Sequence, residues 1–147
     1  MISIMHHALS SIFEHGTEVK LAKGAALFRT DDRVTAMYLV CQGRVDLVRH
    51  VQSGERMVLH RASAGTVLAE ASAYSKRYHC DGIADSQSTL RRISTADFLD
   101  KLNANRDLSQ LWAAHLARIL QRSRMNAEIR TLRRVSDRLD AWLELGN

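Results

Sequence analysis

Four side chains suited to metal binding or acid–base work, His50, His60, Glu70 and His79, fall on or beside strand-like segments in the middle of this chain. Imidazole nitrogens and a carboxylate turned into a barrel would suit a divalent transition metal. Their spacing argues otherwise. There is no His-x-His pair, and a strand would send the adjacent His79 and Cys80 to opposite faces. Cys41 and Cys80 are too few for a disulfide framework or a four-thiolate cluster, and they form no Cys-x-x-Cys. No nucleophile elbow or glycine-rich phosphate loop frames the serines and histidines, so no catalytic or metal-ligating residue is assigned and no enzyme is expected.

The elements that position these groups belong to a chain of 147 residues, long enough for one domain with a real core. A net charge of +5 permits association with nucleic acid or acidic ligands but does not set the fold. The arginines gather late, at Arg118, Arg122, Arg124, Arg130, Arg133, Arg134 and Arg138, where a solvated helix face accounts for them. No run approaches the roughly 18 uninterrupted apolar residues of a membrane span, and the first seven residues lack the blocks of a signal peptide. A cytoplasmic protein with no membrane partner is the expectation.

Ile4, Ala8, Leu9, Ile12 and Phe13 recur at helical spacing and predict a short amphipathic helix within residues 1–16. From Thr17 to Ile93 the pattern changes to short apolar runs separated by turn signals such as Lys23-Gly24, Asp31-Asp32, Gln42-Gly43 and Ala64-Gly65. The runs predict strands at Val19–Leu21, Ala26–Phe28, Ala36–Val40, Val45–Val51, Arg56–Arg61, Tyr78–Ala84 and Thr89–Ile93. No helix-length crossover separates them, so the sheet must be an antiparallel sandwich or barrel within residues 17–103. Gln52-Ser53-Gly54-Glu55 reads as a hairpin turn with Gly54 at positive φ. Ser94-Thr95-Ala96-Asp97 is close to a capping box and opens a short helix, and Asn105 can cap the next one.

That next helix carries two apolar stripes. Leu108, Leu111, Trp112, Leu116, Ile119 and Leu120 form the first; Met125, Ile129, Leu132, Leu139 and Leu143 form the second, rotated by about a third of a turn. The helix therefore meets two partners or bends near Arg134. The long helix, placed within 104–134 and roughly 28 residues long, spans about 40 Å, more than one small barrel covers, so its excess apolar surface predicts a two-fold homodimer. Leu108, Trp112, Leu116 and Ile119 are expected at the seam, with Ser123 as a small residue at a close crossing.

An N-terminal helix, a jelly-roll, a short capped helix and a long pairing helix resemble the sensor half of the Crp/Fnr family of bacterial transcription regulators. The landmarks are Lys23-Gly24 before Leu27-Phe28, Tyr38-Leu39-Val40 before Gln42-Gly43-Arg44-Val45, Gly65 ahead of Ala69-Glu70, and Val135-Ser136-Asp137-Arg138-Leu139. The resemblance implies an α+β fold built on an antiparallel jelly-roll, the double-stranded β-helix of cyclic-nucleotide-binding domains. It also implies an effector-sensing, dimerising role in transcription regulation.

In members that bind cyclic nucleotides, a Gly-Glu pair is followed by Arg-Ser or Arg-Thr. The Glu accepts from the ribose hydroxyl and the Arg forks onto the phosphate. Here Glu70 matches the Glu, Ala69 replaces the Gly, and Tyr78-His79 stands where Arg-Ser is expected, with Arg77 one residue earlier. A neutral Tyr and a partly charged His remove the phosphate's main counter-charge, which predicts a degenerate pocket and no cofactor, a cyclic nucleotide being the group the resemblance offers. Glu70, Arg77, Tyr78 and His79 are the candidate ligand-binding residues, with Ser123 and Arg124 at the positions that would cap a base. Residues 135–147 resemble the start of a helix-turn-helix domain, so DNA contact is expected only through a C-terminal domain absent from this chain. The residues also allow a cupin-like metal-binding enzyme, or a vacant domain that serves only to dimerise.

Overall fold

The computed structural model describes residues 7–145. Eight antiparallel strands form two four-stranded sheets: β1 (Thr17–Leu21), β8 (Ser88–Ser94), β3 (Ala36–Gln42) and β6 (Val67–Leu68) in one, and β2 (Ala26–Phe28), β7 (Asp81–Ala84), β4 (Arg44–His50) and β5 (Arg56–Ser63) in the other. This is the expected jelly-roll. Its interior is filled by Phe28, Val40, Val45, Leu47, Ala62, Leu68, Tyr78 and Leu90. All but Tyr78 come from strands of the two sheets, as two-layer packing of alternating strands requires.

The β4–β5 hairpin closes as the sequence predicts. His50 pairs with Arg56, the Val51 amide donates to the Glu55 carbonyl at 3.0 Å, and Gly54 sits at φ +83°. Gly43, between β3 and β4, also has positive φ, and a side chain there would run into Ser88 Oγ and the Gln87 carbonyl.

The structure differs from the expected strand at Tyr78–Ala84. Only Asp81–Ala84 belongs to β7. The Tyr78 amide donates to the Asp32 carbonyl, while the Asp31 and Val34 amides donate to the Tyr78 and Lys76 carbonyls. The Lys76 carbonyl and both backbone groups of Tyr78 are thus paired with the 31–34 loop, through an isolated antiparallel bridge between Arg33 and Arg77 and not through a strand ladder. Two short elements had no sequence signal: β6, with two residues, and the 3₁₀ turn Glu70–Tyr74.

Residues 7–10 are helical and continue into a 3₁₀ turn, Ser11–Phe13; the first part of the expected N-terminal helix, from Ile4, lies outside the described residues. Ser94 caps the helix Thr95–Ala104 by accepting from the Asp97 amide at 3.1 Å. Asn105 then accepts from the Asp107 and Leu108 amides at 3.0 and 3.2 Å, opening the long helix Arg106–Leu145. Secondary structure is continuous past Arg134 over 40 residues, about 60 Å of helix.

The chain divides into two units after Trp112. In the first, Phe98 stands between Phe13, at 5.8 Å, and Trp112, at 4.9 Å in an edge-on arrangement. The second, residues 113–147, carries the rest of the long helix, whose apolar residues Leu120, Met125, Ile129, Leu132, Leu139 and Leu143 are exposed.

Candidate functional site

The site is assembled where β6 ends. Ala69 takes a left-handed conformation, φ 52° and ψ 56°, which L residues other than glycine rarely adopt. The left-handed kink throws the chain into the 3₁₀ turn that begins with Glu70. Ser72 holds this turn closed: its amide and hydroxyl both donate to the Ala69 carbonyl, at 2.9 and 2.6 Å. Ser72 is itself buried, its hydroxyl 3.6 Å from Met37 Sδ.

Of the residues singled out, Glu70 is half-buried at the start of this turn. Arg77 and His79 are exposed, and Tyr78 between them is only 5 % exposed. The Tyr78 ring stacks on Phe28 with centroids 3.7 Å apart and planes within 4°, and its hydroxyl donates to the Ala36 carbonyl at 3.3 Å. Burial, with the Tyr38 phenol next in weight, pushes the Tyr78 phenol well above its ordinary value, so it stays neutral. Tyr78 is therefore an interior residue and not a charged pocket group. Gly82 makes room for the stack, since a Cβ there would lie 2.7 Å from Phe28 Cζ.

Arg77 points the other way, as strand-like alternation requires, and donates from Nη1 to the Asp31 carbonyl at 2.8 Å. Arg49 Nη2 donates to the His79 carbonyl at 3.2 Å. Sequence reasoning missed Asp81 entirely. Its side chain is 8 % exposed, and it accepts from the Thr30 amide (2.6 Å) and hydroxyl (2.8 Å), with Arg29 Nη1 and His50 Nε2 both at 3.5 Å. Burial pushes the Asp81 carboxyl up, but the Thr30 donors and the Arg29 charge outweigh it and hold the group below its ordinary value. Burial also raises the Cys80 thiol. Among the described residues no group of three or more His, Cys, Asp and Glu side chains could hold a metal ion, and His50 is turned to Asp81.

On the long helix, Ser123 and Arg124 are both exposed. The residues expected at a pairing seam divide. Leu108, Leu116 and Ile119 are half-buried and Ser123 is open, but Trp112 is 2 % exposed, packed edge-on to Phe98 and donating from Nε1 to the Tyr74 hydroxyl at 2.9 Å. Trp112 is thus consumed within its own unit and is not available at a seam. Among the described residues no helix is long and apolar enough to cross a membrane.

Residues 18–105, more than half of the chain, match the model of the cyclic nucleotide-binding domain. No curated protein is matched by the sequence. Among solved structures, the chain resembles the sensor domain of the transcriptional regulator DNR from Pseudomonas aeruginosa, at 27 % identity and a TM-score of 0.63, covering 79 % of this chain and 77 % of that one. It resembles the N-terminal domain of a transcriptional regulator from Streptomyces coelicolor A3(2), at 23 % identity and 0.63, covering 80 % and 82 %. Thermus thermophilus catabolite activator protein shares the fold at 21 % identity and 0.71, covering 84 % of this chain but 58 % of its own. The eight-stranded jelly-roll, the turn at Glu70 and the long helix that follows find one common explanation in these matches: the chain belongs to the cyclic nucleotide-binding domain family, in the form that serves Crp/Fnr transcription regulators as their sensor domain.

Proposed function

We propose that this chain is the effector-sensing and dimerising module of a Crp/Fnr-like transcription regulator, with a pocket that no longer takes a cyclic mononucleotide. The observation that carries this reading is the placement of Tyr78. At the position where nucleotide-binding members carry the phosphate-pairing arginine, a neutral ring is stacked on Phe28 inside the barrel. Arg77, the nearest cation in sequence, is exposed and engaged with the Asp31 carbonyl. A cyclic phosphate entering here would lose its hydration without gaining a bidentate guanidinium, an exchange that costs a few kcal/mol.

Pairing of two copies through the long helix is supported by the exposed second stripe. Met125, Ile129, Leu132, Leu139 and Leu143 step by four, three, seven and four residues, the 3.5-residue period of a two-stranded seam. In a parallel pair, Glu128 on one helix would face Arg133 on the other, an opposite-charge contact of the kind that sets orientation. Sensing would then be a population shift between two arrangements of the paired helices, driven by an effector with different affinity for each. DNA contact is assigned to a helix-turn-helix module for which Val135-Ser136-Asp137-Arg138-Leu139 resembles the opening residues.

Thermal unfolding with and without cyclic AMP or cyclic GMP tests the pocket. A true ligand at 100 times its Kd adds about 2.7 kcal/mol of stability. The midpoint is expected not to move; a concentration-dependent rise with either nucleotide would overturn the proposal.

A further inference from the structure

The helix that forms the second unit carries its charge unevenly. Between Ala113 and Leu145 it has seven arginines and no lysine, against the four carboxylates Glu128, Asp137, Asp140 and Glu144. Arg130, Arg134 and Arg138 stand at i, i+4 and i+8, all exposed, and rise about 12 Å along one line of the helix. At about 100° per residue this line lies opposite the apolar stripe Met125, Ile129, Leu132, Leu139 and Leu143. The two faces are separate surfaces, so whatever covers the apolar stripe leaves the arginines uncovered.

The arrangement works against the helix itself. Like charges at i and i+4 repel, and here they occur twice in succession, Arg130 with Arg134 and Arg134 with Arg138. None of the three has a carboxylate four residues before or after it; Asp137, three residues after Arg134, is the acid that borders the line. Arg133, by contrast, precedes Asp137 by four, the spacing a salt-bridged solvent face would use throughout. Among the described residues no ion pair engages Arg130, Arg134 or Arg138. A row of guanidinium groups without internal partners suits a row of external anions, and each guanidinium can fork onto phosphate oxygens. One strand of duplex DNA advances about 3.4 Å of axis per phosphate, so about 12 Å of helix spans roughly three to four of them.

We propose that the Arg130–Arg134–Arg138 face docks on the phosphate backbone of duplex DNA without reading its sequence. This contact is separate from any helix-turn-helix module and uses neither the barrel pocket nor the apolar stripe. Single-stranded nucleic acid fits the face less well, because no aromatic side chain stands between the arginines to stack bases. An anionic membrane fits less well too. The helix would lie with its apolar stripe in the lipid, which places Glu128 and Asp140 at the borders of the contact and turns the three arginines away from it.

The test is fluorescence anisotropy of a labelled duplex of about 25 base pairs, titrated with the full chain at roughly 50 to 200 mM salt. Saturable binding that weakens steeply with salt is expected, alike for two duplexes of unrelated sequence. Arg130→Gln, Arg134→Gln and Arg138→Gln together should make the slope of log K against log salt shallower by about 2 to 3, and each alone by about 1. Lysine at the same three positions restores the charge and should restore the slope, which separates lost contact from lost folding. Lys20→Gln, Lys23→Gln and Arg56→Gln remove equal charge from exposed positions of the barrel unit and should leave the slope unchanged. No saturable binding at the lowest salt would overturn the proposal. So would an unchanged slope in the triple glutamine variant, an equal change in the barrel variant, or tighter binding to a single strand or to vesicles containing phosphatidylserine.

Discussion

Gly82→Ala probes the ring stack that fills the barrel. Gly82 lies on β7 at a backbone angle open to any residue, so the substitution acts through space alone. The added methyl would stand 2.7 Å from Phe28 Cζ and 2.8 Å from Cε1, where carbon contacts prefer about 3.5–4.0 Å. Phe28 must retreat by about 1 Å. It is 5 % exposed and stacked on Tyr78 at 3.7 Å, so the shift is passed to Tyr78 and its bond to the Ala36 carbonyl. Overpacking of this kind costs about 1–3 kcal/mol, offset by roughly 0.5–1 kcal/mol because Ala orders more easily than Gly. The net loss is about 1–2 kcal/mol, a fall in Tm on the order of 3–10 °C for a domain of this size. Urea unfolding followed by circular dichroism measures it. Repeating the substitution in a Phe28→Leu background removes the clash, and there Gly82→Ala should be neutral or stabilising, a coupling of about 1–3 kcal/mol. An equal cost in both backgrounds would refute the reasoning.

Asp81→Asn should cost about 2 kcal/mol at neutral pH, because the buried carboxylate accepts two bonds from Thr30. Its folded pKa is depressed, so this stability is present above the unfolded value near 3.8 and lost as pH falls through the lower folded value. The gap between parent and variant should therefore narrow as unfolding is measured at progressively lower pH; a gap that widens contradicts the assignment. Ser94→Ala, which removes the cap on the Asp97 amide, should cost about 1 kcal/mol in the same urea assay. In sedimentation equilibrium the parent should be a dimer. Leu132→Asp, at a position 62 % exposed, should give a monomer with an unchanged barrel transition, and a monomeric parent would exclude helix pairing.

Much of this architecture was legible because strands and caps leave local signals. The hairpin turn at Gly54, the Ser94 cap and the Asn105 cap each depend on a residue type whose conformational or hydrogen-bonding need is local, and all three appear as read. The β6 strand was not legible, because two residues show no period, and neither was the 3₁₀ turn, because Ala69 carries no sequence mark of its left-handed angle. Residues 78–80 read as strand since their apolar alternation is genuine, but the backbone partners of Tyr78 lie in a loop some 45 residues earlier in sequence. Asp81 was invisible for the same reason: its partners Thr30 and His50 are brought to it only by folding. Trp112 sat correctly on an apolar stripe, yet the stripe cannot say whether Phe98 of the same chain or a second helix will cover it.

The most direct test of the pocket reading is isothermal titration of the full chain with cyclic AMP and cyclic GMP. With Tyr78 stacked on Phe28 and Arg77 engaged with the Asp31 carbonyl, the proposed degenerate pocket predicts no saturable heat for either nucleotide at millimolar concentration. Saturable one-per-chain binding at micromolar concentration, abolished by Arg77→Ala, would contradict it and assign to Arg77 the role that its contact with Asp31 argues against.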